Sequence, residues 1–142
     1  MRALLRILVV IPLAYVAACL AAGLVFVVPL LMAAGDPDFA MEGFIVGFGF
    51  VMAAYGGMIA AAPTLVAVLL AETFGWRSFL FWTLFGGAIG LAVSLAGPDV
   101  GMGAAGFILP THAVAGCVGG AIYWLIAGRK SGSLASASSE EL

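Results

Sequence analysis

His112 is the only histidine in the chain, and it falls twelve residues after Val100 in an uncharged run over 100–128. At 1.5 Å of rise per residue, a helix carries it about 18 Å from the start of that run, which is near the middle of a bilayer. Gly116 and Gly120 follow at i+4 and i+8, so the imidazole shares their face and is expected to point at neighbouring helices. An ionisable group at that depth can relay protons, bind a haem iron axially or hydrogen-bond a quinone. A relay needs further titratable groups at the same depth, and bis-histidine haem needs a second subunit. The reading that asks for less is a neutral imidazole hydrogen-bonded to another helix. Tyr55 lies twelve residues after Gly43 and reaches the same depth, so it is the expected partner. Thr111, Tyr15 and Thr64 are weaker alternatives. The spacing predicts that the Tyr55 and His112 side chains lie within one helix diameter of each other.

The remaining polar residues sit between the uncharged runs. Glu72 and Arg77 flank a short connection that also holds Trp76. They read as a solvated loop pair, worth little energetically, or as a docking patch for a cytoplasmic or membrane partner. Asp36, Asp38 and Glu42 fall together in another connection, where exposed acids are ordinarily solvated. Cys19 and Cys117 lie inside apolar runs and have no C-x-x-C spacing, so they read as small buried hydrophobes. Several activities are thereby argued down. Thiol oxidoreduction needs paired cysteines, and a small four-helix drug exchanger needs a carboxylate within a span. An intramembrane protease needs a serine–histidine pair, two aspartates or a metal motif, and nothing around Ser94 supplies one. Gly47-Phe48-Gly49 lacks the strand that a dinucleotide fingerprint requires. No enzyme activity, cofactor or metal is expected.

The elements that must hold these residues are set by composition. Hydrophobic residues make up 65% of the 142 residues and charged residues 8%, where soluble domains carry about 25% charged. A soluble fold of this size has too little interior for so much apolar surface. The charges divide the chain into uncharged runs over 7–35, 43–71, 78–98 and 100–128. A spanning helix needs about 20 apolar residues, so each run suffices once and none suffices twice. The runs are continuous and do not alternate as barrel strands would. The expected fold is all-α, an up-down four-helix transmembrane bundle with spans about 7–34, 43–71, 78–97 and 100–128, because short links make sequential helices antiparallel. Residues 131–142, rich in Ser and Ala and closing with Glu140-Glu141, read as a disordered tail.

Arg2, Arg6, Arg77, Arg129 and Lys130 then fall on one side, and Asp36, Asp38, Glu42 and Asp99 on the other. The positive-inside rule places the basic side, with both termini, in the cytoplasm. Trp76, Trp82, Tyr123 and Trp124 mark the same boundary, as interfacial aromatics do. Arg2 and Arg6 before an apolar stretch with Val16-Ala17-Ala18-Cys19 also suggest a cleaved leader. The run continues past Cys19 to Gly35, however, longer than a leader's core, which favours an uncleaved first span. The net charge of −2 and scattered basic residues point away from nucleic acid.

Helices in lipid associate through close packing, which small residues permit. Gly43-x-x-x-Gly47 and Gly57-x-x-x-Ala61 lie in the second run. Gly86-x-x-x-Gly90-x-x-x-Ser94 lies in the third and Gly116-x-x-x-Gly120 in the fourth. Span one, 7–34, has only Gly23, so spans two to four are expected to form the tight core and span one to pack loosely. Gly75 is the expected C-cap of span two. Pro12, Pro29, Pro63 and Pro110 lie within runs and predict kinks or weak points.

Four stretches carry a resemblance. Pro63-Thr-Leu-Val-Ala-Val-Leu-Leu-Ala-Glu72, Trp76-Arg77-Ser78, Phe85-Gly-Gly-Ala-Ile-Gly90 and Gly119-Gly-Ala-Ile-Tyr-Trp-Leu-Ile-Ala-Gly-Arg129 resemble small four-helix inner-membrane proteins of alphaproteobacteria over about half the chain. That group brings no activity with it; the resemblance implies only a bacterial inner membrane. The sequence thus points to a multi-pass membrane protein acting as a non-enzymatic accessory or scaffold subunit. Its partners would be the bilayer and other membrane proteins or a second copy. The alternative is a small oligomeric transporter or channel with its path near Tyr55 and His112.

Overall fold

The computed structural model describes residues 6–96 and 102–130. A π-helical turn, Arg6–Val10, leads into α1 (Ile11–Ala34); α2 is Phe39–Phe74, α3 Phe79–Ala96 and α4 Met102–Ile126, followed by a 3₁₀ turn, Gly128–Lys130. Among the described residues there is no strand. The expected third connection and the tail 131–142 lie outside the described residues. Three segments are long and apolar enough to cross a membrane, Leu8–Ala34, Phe39–Phe74 and Leu109–Ile126, and Phe79–Leu95 is apolar but shorter.

The boundaries of α2 have local causes. The Asp38 carboxylate accepts from the Met41 N–H at 2.8 Å, satisfying a donor that the first turn leaves orphaned, and Glu42 in that turn suits the positive helix end. The helix therefore starts at Phe39, four residues before the expected span. At its other end Gly75 adopts φ 67°, and its N–H reaches the Ala71 carbonyl, the left-handed cap that glycine takes cheaply. The helix thus continues through Phe74, and Glu72 belongs to its last turn and not to a loop. Asp38→Ala should cost about 1 kcal/mol, seen as a lower unfolding midpoint in mild detergent. Pro12 lies within the Leu8–Ala34 span, as expected. It stands where the π-helical turn Arg6–Val10 gives way to α1, a place where a missing N–H interrupts the regular hydrogen-bond ladder. Pro29, Pro63 and Pro110 lie inside helices.

At one end of the molecule Ala14 and Ala18 of α1 meet Ala67, Val68 and Ala71 of α2, Trp82 of α3, Tyr123 of α4 and Ala127 just after it. The start of α1, the end of α2, the start of α3 and the end of α4 therefore come together, so successive helices alternate in direction. The interior is built mostly from alanine and glycine, while large apolar side chains point outward: Phe39 is 90% exposed, Met58 80% and Met32 79%. That is the reverse of a water-soluble core, and it suits helices that approach closely and present bulk to lipid.

The helices pair unequally. The α3–α4 contact is the most extensive, followed by α1–α4 and α1–α2, while α2 and α3 meet only slightly. The helices are therefore joined in the order α2, α1, α4, α3. This corrects the expectation that span one packs loosely: α1 is central, and α2 is attached chiefly along α1. The bundle is open between α2 and α3, although these two are neighbours in sequence.

Candidate functional site

The glycines expected to pack do so across α3 and α4. A Cβ on Gly86 would overlap the Gly116 carbonyl, one on Gly90 the His112 carbonyl, and one on Gly120 the Trp82 carbonyl. The backbones are in contact there, as small residues at four-residue spacing allow. Ser94 lies further along α3 and is half-buried. The spacing in α2 is not used in this way: a Cβ on Gly43 or Gly47 would meet nothing within 4 Å. The α1–α2 crossing instead uses Gly23 and Gly49. A Cβ on Gly23 would lie 2.8 Å from the Gly49 carbonyl oxygen. The Tyr15 hydroxyl adds a hydrogen bond to the Gly57 carbonyl across the same crossing.

All four helices line a cavity of 130 Å³. Its polar wall includes Tyr15 and Cys19 of α1, Tyr55 and Thr64 of α2, and His112 of α4; Phe26, Trp82 and Phe85 supply aromatic surface. Tyr55 and His112 both line this cavity. They are not the simple interhelical pair expected, because α2 and α4 scarcely touch. The aromatic partner of His112 is Phe26, edge to face with ring centres 5.1 Å apart. Tyr55 is 47% exposed at the open side, and its hydroxyl has no hydrogen-bond partner among the described residues. Thr111 is half-buried and does not line the cavity. No group of three His, Cys, Asp or Glu among the described residues could hold a metal ion.

Compared with protein-family models, curated proteins and solved structures, the chain matches none. The site must therefore be read from its own chemistry. No Asp, Glu, Lys or Arg is among the lining residues, so the cavity suits a neutral, largely apolar occupant with a few hydrogen-bonding atoms.

The expected docking patch separates into parts with different surroundings. Glu72 is only 5% exposed, which corrects the solvated-loop reading and removes its carboxylate from any exposed patch. Trp76 stacks on Phe74 with ring centres 5.8 Å apart and meets Phe81 edge-on at 4.9 Å. The Arg77 carbonyl accepts from the Trp124 Nε1–H at 2.7 Å, and the Arg129 guanidinium lies 5.2 Å from the centre of the Trp124 ring, within cation–π range. These contacts tie the α2–α3 turn to the end of α4. Beneath them, Trp82 Nε1 and Thr83 Oγ1 are buried with no hydrogen-bond partner among the described residues. Thr83→Val keeps the shape and removes the orphaned hydroxyl, so it should stabilise the fold by about 1 kcal/mol, read as a higher unfolding midpoint.

Sequence reasoning missed Phe26, the Gly23–Gly49 crossing and the contribution of Tyr15 to it. The signal for Gly23 was present, as the only glycine in α1. Nothing in the chain names Gly49 as its partner.

Proposed function

We propose that this chain is a four-span integral membrane protein with both termini in the cytoplasm, acting as a non-enzymatic accessory or scaffold subunit through helix packing. The observation that carries the reading is the state of α2. This helix of 36 residues is attached chiefly along α1. Its Gly43 and Gly47 surface is open, and Phe44, Phe50 and Met58 point outward. Small residues at that spacing accept a second helix at close range, and a partner subunit would supply it. At 18 residues α3 is about 27 Å long, close to the hydrocarbon thickness of about 30 Å, so it serves as the remaining span. Orientation follows from Arg77 and Arg129 at the aromatic-rich end and from Asp36, Asp38 and Glu42 at the other. The resemblance to alphaproteobacterial proteins supports a bacterial inner membrane as the setting.

One observation favours a second reading, a small oligomeric transporter or channel: Tyr55 and His112 line one cavity that all four helices share. Native mass spectrometry of the protein extracted gently from its own membranes separates the two. Other polypeptides bound at fixed stoichiometry support the accessory subunit. A bare homo-oligomer supports the transporter or channel.

A further inference from the structure

We propose that the cavity between α2 and α3 is a binding site for a lipid-soluble molecule of the quinone class, reached sideways from the bilayer. The size of the cavity sets the first limit. Its 130 Å³ is close to the roughly 150 Å³ of an engineered protein cavity that takes up benzene. It therefore holds one six-membered ring, whereas a helix with its side chains, about 10 Å across, is far too large. Charge sets the second limit. A phospholipid headgroup would need cationic partners for its phosphate, and the lining has none. A cation would need carboxylates, and these are absent from the lining as well. The occupant is neutral.

The polar groups set the third limit. A plain alkyl chain would fit the volume but would leave the Tyr55 hydroxyl without a partner at mid-helix, where no water replaces it and the loss is costly. Tyr55 and His112 approach the cavity from different helices. A ring carrying a carbonyl oxygen can accept from the Tyr55 hydroxyl, and the flat faces of Phe26 and Phe85 suit such a ring. Gly56 also lines the cavity and leaves room for it, since a Cβ there would meet nothing within 4 Å. The hydrophobic tail leaves through the gap between α2 and α3, which meet only slightly, beside the exposed Tyr55. This site does not depend on the accessory-subunit reading, since it needs no second polypeptide.

Binding is tested on the full chain in lipid nanodiscs with a decyl-substituted benzoquinone as the probe. Trp82 lines the cavity, so the readout is quenching of tryptophan fluorescence, with the ligand-induced rise in unfolding temperature as a second measure. Saturable quenching at one quinone per chain is expected. Tyr55→Phe should weaken it roughly five- to tenfold, the equivalent of one hydrogen bond. Gly56→Leu should abolish it. A Cβ at Gly56 would meet nothing within 4 Å, so that variant fills the cavity without forcing the helices apart, and unchanged circular dichroism checks this. Quenching that rises linearly with quinone, equally in wild type and Gly56→Leu, would show partition into lipid only and overturn the proposal. Equal stabilisation by decane and by the quinone, or undiminished affinity in Tyr55→Phe, would overturn the quinone assignment.

Discussion

Gly116→Ala should destabilise the fold by about 1–3 kcal/mol, the usual cost of forcing a group into a packed interior, and Gly86→Ala should do the same. A Cβ on Gly116 would overlap the Gly86 carbonyl, and one on Gly86 the Gly116 carbonyl. Each obstacle is a backbone atom, so no rotamer change relieves it and α3 and α4 must separate. The double variant should cost less than the sum of the two, because one separation accommodates both methyl groups. Gly43→Ala and Gly47→Ala are the controls. They carry the same four-residue spacing but would meet nothing within 4 Å, so they should be neutral or stabilise by up to about 1 kcal/mol through helix propensity. Unfolding followed by circular dichroism in mild detergent measures all five variants. Equal shifts for Gly116→Ala and Gly47→Ala would refute the backbone contact.

That contrast shows where the sequence was informative and where it was not. Four helices were legible because charge interrupts the apolar runs, and the α3–α4 seam because glycines recur every four residues on both sides. Gly75 was legible as a cap because only glycine takes φ 67° without strain. The pairing order was not legible. Small residues say that a helix can approach closely, but not which helix it approaches. Thus Gly43 and Gly47 have the spacing and would meet nothing among the described residues, while Gly23, the single glycine within α1, makes the crossing that holds α2. Glu72 was misplaced for a related reason. Its charge suggested solvent, but the cap at Gly75 extends α2 through Phe74 and Glu72 is buried in the last turn. The cavity was only half legible. Tyr55 and His112 could be matched by depth, but the space between their helices depends on α2 standing away from α3.

The attachment of α2 chiefly through α1 leads to the second large effect. Gly23→Leu should open the α1–α2 crossing at a cost of about 2–3 kcal/mol, while the α3–α4 seam stays closed. A Cβ on Gly23 would already lie 2.8 Å from the Gly49 carbonyl oxygen and 3.0 Å from the Ala53 Cβ, and leucine adds three more carbons there. A disulfide can report this opening. In Gly57→Cys the new Cβ would lie 3.8 Å from the Cys19 Cβ, the mean separation in disulfides, and Cys117→Ala removes the competing thiol. In that background, mild oxidation should join α1 to α2 almost completely. Adding Gly23→Leu should slow the cross-link at least about tenfold, as an opening of 1.4 kcal/mol or more requires. Adding Gly116→Ala should leave its rate unchanged, because that clash lies on the other side of α4. If both substitutions slowed the cross-link alike, the four helices would behave as one cooperative unit, and α2 could not be the separately held helix that the accessory role requires.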